Sequence, residues 1–380
     1  MVSKQLLNNI LEFASKQAYP DIHLNTWFLP KVRDRNGDIN NIEDIVISKN
    51  IEDPETWEAK VIEETLQMPI LTSEIIKDII IAIVWENWYE NFELMMELDT
   101  SYSLKKWDRY RVNCYMDSAW YSIALRIIPS KIPTIEELWL WDTVKEMCNK
   151  WKWLIIVTWP TGAWKSTNLA AMIDYINKNH KKHIITIEDP VEFSFTSDKC
   201  LINQREIWHH TKGFDVAMRS ALREDPDVIM IWEMRDPETI KTAITLAETW
   251  HLVLSTLHTN DSVQTIDRIV DVFPWAQQKQ IRMQLAMSLT WVISQRLVTR
   301  SDRDWRVAAR EILTSTDAVR NLIITWKTHQ LYSVLEVWMK YWMILMDKYL
   351  ILLFKKWMIS KENLLAYARD KDWVEMLIQD

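Results

Sequence analysis

Residues 153 to 167, Trp-Leu-Ile-Ile-Val-Thr-Trp-Pro-Thr-Gly-Ala-Trp-Lys-Ser-Thr, constrain this chain more than any other stretch. A short apolar strand, Leu154 to Val157, feeds a turn, and a helix pattern follows Lys165-Ser166-Thr167. That is the layout of a phosphate-binding loop. In such a loop successive backbone N–H groups converge on a phosphate, and the helix N-terminus adds its dipole. The motif calls for glycine at 159 and 164, where the backbone takes positive φ and the phosphate approaches closely. Here Trp159 and Trp164 stand instead. A tryptophan at 164 costs about 1–2 kcal/mol for the left-handed conformation alone, and its indole competes for the phosphate volume. As written the loop is impaired; with glycine at both positions it reads Gly-Pro-Thr-Gly-Ala-Gly-Lys-Ser-Thr, a highly specific match.

Composition decides how to read those two positions. The chain has 3 glycines and 23 tryptophans in 380 residues, whereas glycine alone normally makes up about 7 % of a protein. The tryptophans also fall where glycine chemistry belongs. Trp250 closes a helix pattern before His251, Trp232 ends an apolar strand before Glu233, and Trp139 and Trp141 follow Glu136-Glu137-Leu138. The expectation is that most of them are glycines in the living protein. A gene that reads UGA as glycine, translated with a table that reads it as tryptophan, gives this pattern. The alternative is a truly tryptophan-rich protein.

The remaining totals narrow the class. A length of 380 residues suits two domains. The net charge of −8 leaves no strongly basic footprint, so no nucleic-acid partner is expected. None of the three cysteines, Cys114, Cys148 and Cys200, lies in a C-x-x-C pair, which points to buried thiols rather than a zinc site or a disulfide framework. Val2 to Phe13 is amphipathic rather than signal-like, and no run reaches 18 apolar residues. A cytoplasmic location is expected.

Residues 1–128 read as an α/β domain without a nucleotide motif. A helix pattern over 3–17 precedes an alternating strand, Asp21-Ile22-His23-Leu24. Asn36-Gly37-Asp38 suggests a hairpin, residues 73–84 a helix, and 110–115 with 122–128 a pair of strands. Pro129 and Pro133 mark residues 129–133 as a linker, since each proline opposes helix and biases its predecessor to extended geometry. Thr134 and Glu137 then form a capping box that starts a helix. In 134–380 strands alternate with helices, which predicts a mostly parallel sheet with helices on both faces. Leu169, Met172, Ile173 and Ile176 mark the buried face of the helix after the loop. Strands are expected at 183–187, 228–231 and 252–256, and mostly helix from about 277 onward.

Four stretches carry chemistry. In the first, Trp159, Pro160, Thr161, Gly162, Ala163, Trp164, Lys165, Ser166 and Thr167 form the candidate nucleotide cradle. Lys165 belongs against the β- and γ-phosphates, and the Ser166 hydroxyl on Mg²⁺. In the second, Thr186-Ile187-Glu188-Asp189-Pro190-Val191-Glu192 ends a strand in carboxylates. These are either a solvated acidic turn or, following a phosphate loop, groups that handle metal or water at the strand ends. In the third, Asp227-Val228-Ile229-Met230-Ile231-Trp232-Glu233 is an apolar strand running into Glu233, the candidate to orient or deprotonate the attacking water. In the fourth, His251 and His258 bracket a strand, either as structural histidines or as sensors of the γ-phosphate.

These four boxes, in this order, resemble the type II/type IV secretion ATPase superfamily, and most closely its type IV pilus retraction, or twitching-motility, branch. Ala318-Val319-Arg320-Asn321-Leu322-Ile323, Thr265 to Pro274 and Asp21-Ile22-His23-Leu24 are similar to that branch as well. Ile324-Thr325 departs from its commoner charged pair. The resemblance implies a PAS-like N-terminal α+β domain, a RecA-like ATPase domain with C-terminal helices, and a homohexamer with ATP between subunits. It implies Glu192 as the carboxylate of its aspartate box, Glu233 as the catalytic glutamate, and His258 as the residue facing the γ-phosphate. Ser166, Glu192 and Glu233 then attend Mg²⁺, with Glu188 and His251 at the nucleotide. Arg111 and Arg126 match arginines that a neighbouring subunit's N-terminal domain brings to the nucleotide. The implied activity is Mg²⁺-dependent ATP hydrolysis that powers pilus retraction. The implied setting is the inner face of the cytoplasmic membrane, against a platform protein of the pilus machinery. Pilus assembly or type II secretion is the alternative in the same class, and a non-hydrolysing nucleotide scaffold is the alternative should the loop tryptophans be genuine.

Overall fold

Alternating burial along Asp21–Asn25 and a run of buried residues along Val228–Ile231 mark two kinds of sheet in this chain. A computed structural model describes all residues except 1, 18, 35–36, 53–58, 85, 106–107, 129–130, 139, 141, 151, 159–164, 303–305, 338–341 and 380. The chain divides into two compact units. One comprises Met1–Lys131 with Glu192–Ser194, the other Ile132–Val191 with Phe195–Asp380. The linker residues 129 and 130 lie outside the described residues.

The first unit holds α1 (Val2–Lys16), β1 (Asp21–Asn25), β2 (Lys31–Arg33), β3 (Ile39–Asn41), β4 (Asp44–Glu52), β5 (Ala59–Gln67), α2 (Ser73–Val84), α3 (Glu86–Met95), β6 (Glu97–Lys105), β7 (Asp108–Asp117) and β8 (Trp120–Ile128). Its six-stranded sheet runs β3-β2-β1-β8-β7-β6, and β4 and β5 form a separate hairpin. Helix α1 buries Leu7, Ile10, Leu11 and Ala14, the face that 3.6-residue periodicity dictates, together with Ile76, Ile79, Ile80 and Ile83 of α2. The turn between β2 and β3 is where the sequence places it, with Gly37 at φ 98°. Asn36 itself is outside the described residues.

The second unit holds α4 (Asp142–Cys148), β9 (Trp153–Thr158), α5 (Lys165–Asn179), β10 (His183–Glu188), β11 (Leu201–Glu206), α6 (Phe214–Ala221), β12 (Val228–Ile231), α7 (Pro237–Glu248), β13 (Leu252–Leu257), α8 (Ser262–Asp271), α9 (Trp275–Ser288), β14 (Leu289–Thr299), β15 (Arg306–Thr314), α10 (Asp317–Ile324), α11 (Leu331–Val337), α12 (Met346–Lys355), α13 (Lys361–Tyr367) and α14 (Lys371–Gln379). Its seven-stranded sheet runs β11-β10-β12-β13-β9-β14-β15. Every neighbouring pair is parallel except β14 with β15. One face packs Ile155 and Val157 on Leu169, Met172, Ile173 and Ile176 of α5. The other packs Leu154 and Ile156 against Ala243 and Ile244 of α7 and Ile266 and Ile269 of α8. With both faces covered, the central strands read as unbroken apolar runs.

Two expectations need correction. The segment after residue 277 is not mostly helical from the start, because β14 and β15 complete the sheet. Both are buried almost throughout, so the period-2 signal that betrays a half-exposed strand is missing. The capping box at Thr134 forms, with Thr134 N–H donating to Glu137 Oε2 over 2.9 Å and Glu137 N–H to Thr134 Oγ1 over 3.1 Å. It closes a single turn rather than a helix. The Leu138 carbonyl accepts from buried Arg310 at 2.7 Å, which ties it to β15 instead of to a next helical turn.

The backbone also speaks to the tryptophans. Among the described residues ten non-glycine positions have positive φ, and eight are tryptophans: Trp27, Trp120, Trp153, Trp208, Trp250, Trp326, Trp342 and Trp357. Trp250, Trp326 and Trp357 each stand two residues beyond a helix's last residue, the position glycine takes to end a helix in the left-handed conformation. At about 1–2 kcal/mol each, eight such residues cost on the order of 10 kcal/mol, as much as a whole protein's net stability. Seven of the eight are exposed, Trp357 at 82 % and Trp250 at 74 %, so their indoles gain little packing to offset the strain. The three cysteines are buried and unpaired, and burial pushes the Cys114 thiol up to about 12.

Candidate functional site

The parallel strands of the second unit all end at one edge of the sheet, and there the chemistry collects. β9 ends at Thr158 and α5 begins at Lys165. Residues 159 to 164, and so Trp159, Pro160, Thr161, Gly162, Ala163 and Trp164, lie outside the described residues. Lys165 is described as the first residue of α5, and its side chain is not. Ser166 is buried in the first turn of that helix, and Thr167 beside it is half-buried.

Glu233 follows β12 and His258 follows β13, the neighbouring strand. Trp232 N–H donates to Ile187 O over 2.9 Å, and Met234 N–H to Thr256 O over 3.2 Å, while the Thr256 hydroxyl caps the Trp232 carbonyl. This lashing fixes the backbone on both sides of Glu233. The carboxylate is nearly buried, at 8 % side-chain exposure, and lies between two basic side chains. His258 Nε2 lies 3.3 Å from Oε1, and Arg235 Nη2 lies 2.9 Å from Oε2. The hydrogen bond to Glu233 raises Arg235 above the ordinary guanidinium value, against the opposing effect of burial. Arg235 was not among the residues expected from sequence. Its signal was available in the spacing, two residues beyond an acid at the end of a buried strand.

The other expected residues divide. Glu188 ends β10 and is buried, but its Oε1 accepts from Thr186 Oγ1 at 2.7 Å and Gln204 Nε2 at 3.0 Å. Its register partner across the parallel pair is Glu206 at the end of β11, a buried carboxylate that sequence reading passed over. Glu206 Oε2 accepts the Val191 N–H at 3.2 Å and so steadies the turn after Glu188. Glu192 groups with the first unit. His251 stands at the opposite end of β13 from His258. There Nδ1 lies 3.0 Å from Leu246 O and 3.1 Å from Thr249 Oγ1. It sits against the C-terminus of α7.

In the first unit, Arg111 of β7 and Arg126 of β8 are direct cross-strand partners. They line a cavity of about 250 Å³ with Asp21, His23, Arg33 and Asn113. Arg126 Nε donates to Asp21 Oδ1 over 2.6 Å, and that bond raises the guanidinium above its ordinary value. Burial holds His23 below the usual imidazole value, against the opposing pull of Asp21.

Among the described residues no three His, Cys, Asp or Glu side chains converge as a metal site. Mg²⁺ characteristically takes few protein ligands and fills its octahedron with phosphate oxygens and water. The hard oxygens of Ser166 and Glu233 fit that habit.

A RecA-like sheet with a phosphate-loop helix at its centre and a buried glutamate two strands away defines a P-loop ATPase fold. Residues 125–330 match the model of the type II/IV secretion system protein family. The type IV pilus retraction ATPase PilT of Pseudomonas aeruginosa is 40 % identical over 365 residues, covering 96 % of this chain and 97 % of that one. A twitching motility protein of Neisseria gonorrhoeae is 43 % identical over 81 % of this chain and 82 % of its own. The crystal structure of the pilus retraction motor PilT with bound ADP superposes with a TM-score of 0.85 at 37 % identity, over 97 % of this chain and 99 % of that one. The chain belongs to the type II/IV secretion ATPase family.

Proposed function

We propose that the chain is an Mg²⁺-dependent ATPase that powers type IV pilus retraction as a homohexameric ring on the cytoplasmic face of the membrane. The observation that carries the catalytic part is Glu233, nearly buried at the strand edge and paired with both His258 and Arg235. A carboxylate so placed holds a water and takes its proton as the water attacks. His258 and Arg235 are the partners that release it when a γ-phosphate competes for them.

ATP binds at this edge, and Mg²⁺, held by Ser166, supplies charge neutralisation at the phosphates. Lys165 binds the phosphate oxygens as a point charge. Arg111 and Arg126 serve the nucleotide of a neighbouring subunit, and Glu192 is the aspartate-box carboxylate that attends Mg²⁺ with Ser166 and Glu233. Each nucleotide then bridges two subunits, and its binding and release bias the equilibrium between domain arrangements. No helix among the described residues is long and apolar enough to cross a membrane, which suits a peripheral motor docked on a membrane-embedded platform protein.

The test is genetic and enzymatic together. Deletion in the native host should leave surface pili in place and abolish twitching, and the purified protein should hydrolyse ATP only with Mg²⁺. Loss of pili on deletion would make it an assembly motor instead.

A further inference from the structure

Two adjacent residues of β14 grip the two elements that flank the phosphate-binding loop. Ser294 pairs in register with Thr158, the last residue of β9, and Thr158 Oγ1 donates to Ser294 Oγ over 2.9 Å. Gln295 points to the other face of the sheet, as consecutive strand residues must, and that is the face α5 covers. There Asn168 Nδ2, from the first turn of α5, donates to Gln295 Oε1 over 2.9 Å. Arg310, directly opposite on β15, donates from Nε to the same oxygen over 2.9 Å. Its Nη2 reaches Leu138 O at 2.7 Å. None of Thr158, Asn168, Ser294, Gln295 and Arg310 is more than 3 % exposed.

An apolar pair would fill this part of the core at lower cost. Burying an amide and a guanidinium is expensive, the more so as Gln295 Nε2 is left without a partner among the described residues, and buried polar groups of this kind are retained where one arrangement must be specified. What they specify here is the placement of α5 on β9 and β14, and with it the distance the loop has to span. Errors of about 1 Å in such placement can cost on the order of 100-fold in function. We propose that Gln295, itself held by Arg310, is a positioning residue that sets the spacing between the two ends of the phosphate-binding loop. This rests on reading that loop as the nucleotide site.

The experiment is titration with ADP of the natively produced protein and its variants, well below each variant's melting temperature. Gln295→Leu keeps the shape and removes the acceptor, and should weaken ADP binding ~10-fold, the upper end of what one buried hydrogen bond contributes. Gln295→Glu keeps the acceptor and should stay within ~3-fold of the parent. Val298→Ala, further along the same strand, should lower the melting temperature through a cavity and leave ADP affinity unchanged. Should Gln295→Leu fail to fold, Asn168→Ala removes the same bond from the helix side and should show the same ~10-fold loss. Parental affinity in Gln295→Leu or Asn168→Ala overturns the proposal, as does an equal loss in Val298→Ala. No ADP binding by the unmutated protein overturns the nucleotide reading itself, and this inference with it.

Discussion

His258 and Glu233 leave neighbouring strands at the same edge of the sheet and meet there, Nε2 to Oε1 at 3.3 Å. With Arg235 Nη2 2.9 Å from the other oxygen, the carboxylate has one basic neighbour at each oxygen. It is built to accept. Glu233→Ala should therefore lower ATP turnover ~100-fold or more, the usual range for a lost general base, while ADP affinity stays within ~3-fold of the parent. Steady-state hydrolysis and an ADP titration on the same preparation check both halves. Parental turnover in that variant removes the catalytic assignment.

The left-handed tryptophans make a prediction that needs no assay of function. If the codons specify glycine in the host, each replaced tryptophan lowers the intact mass by about 129 Da, the difference between the two residues. Protein purified from the native host should then be lighter than the 45.5 kDa of the printed chain by close to a whole multiple of that step. A native mass equal to the printed one would end the idea.

The same reasoning has an energetic form. In the chain as printed, expressed under the standard code, Trp250→Gly replaces an exposed indole at φ 72° at the end of α7. It should stabilise by about 1 kcal/mol. Trp291→Gly is the contrast: Trp291 is buried within β14 and is not among the positive-φ residues, so its indole is packed and the strain argument does not apply. Thermal unfolding of the two variants should move in different directions or by clearly different amounts. Equal shifts would show that backbone strain is not what distinguishes these positions.

How much was legible in sequence follows from burial. Val228–Ile231 and Leu252–Leu257 announced themselves as apolar runs between turn signals, and the face of α5 through its 3.6-residue spacing. Leu289–Thr299 and Arg306–Thr314 did not, because burial of both faces erased their alternation and Gln295 and Arg310 interrupt their apolar character. In the site, the positions of Glu233 and His258 at the strand edge were legible because each follows an apolar strand. His251 carries the same local pattern, and what sets its surroundings apart, the end of α7, is not encoded in spacing. Glu206 was missed because its role arises from pairing across strands, which no local spacing encodes, whereas Arg235 was missed although it stands only two residues beyond Glu233.

The loop after His258 rests on a buried acid, and this gives a pH dependence. Glu311 of β15 is fully buried and accepts from Ser262 N–H at 2.9 Å, Ser262 Oγ at 2.7 Å and Met346 N–H at 3.4 Å. Ser262 and Met346 open α8 and α12, so two helix N-termini converge on one carboxyl. Burial pushes Glu311 above the ordinary glutamate value, and these donors only partly oppose it. A carboxyl raised in the folded state contributes stability that is fully present below its unfolded value of about 4.3. That contribution is lost as pH rises through the folded value. The parent should therefore lose melting temperature relative to Glu311→Gln between about pH 5 and about pH 8, since the variant cannot ionise there. Thermal unfolding of both across that window is the measurement. A difference that is constant with pH, or that favours the parent as pH rises, would show that Glu311 is held as an ordinary carboxylate and that the two helix ends fully compensate its burial.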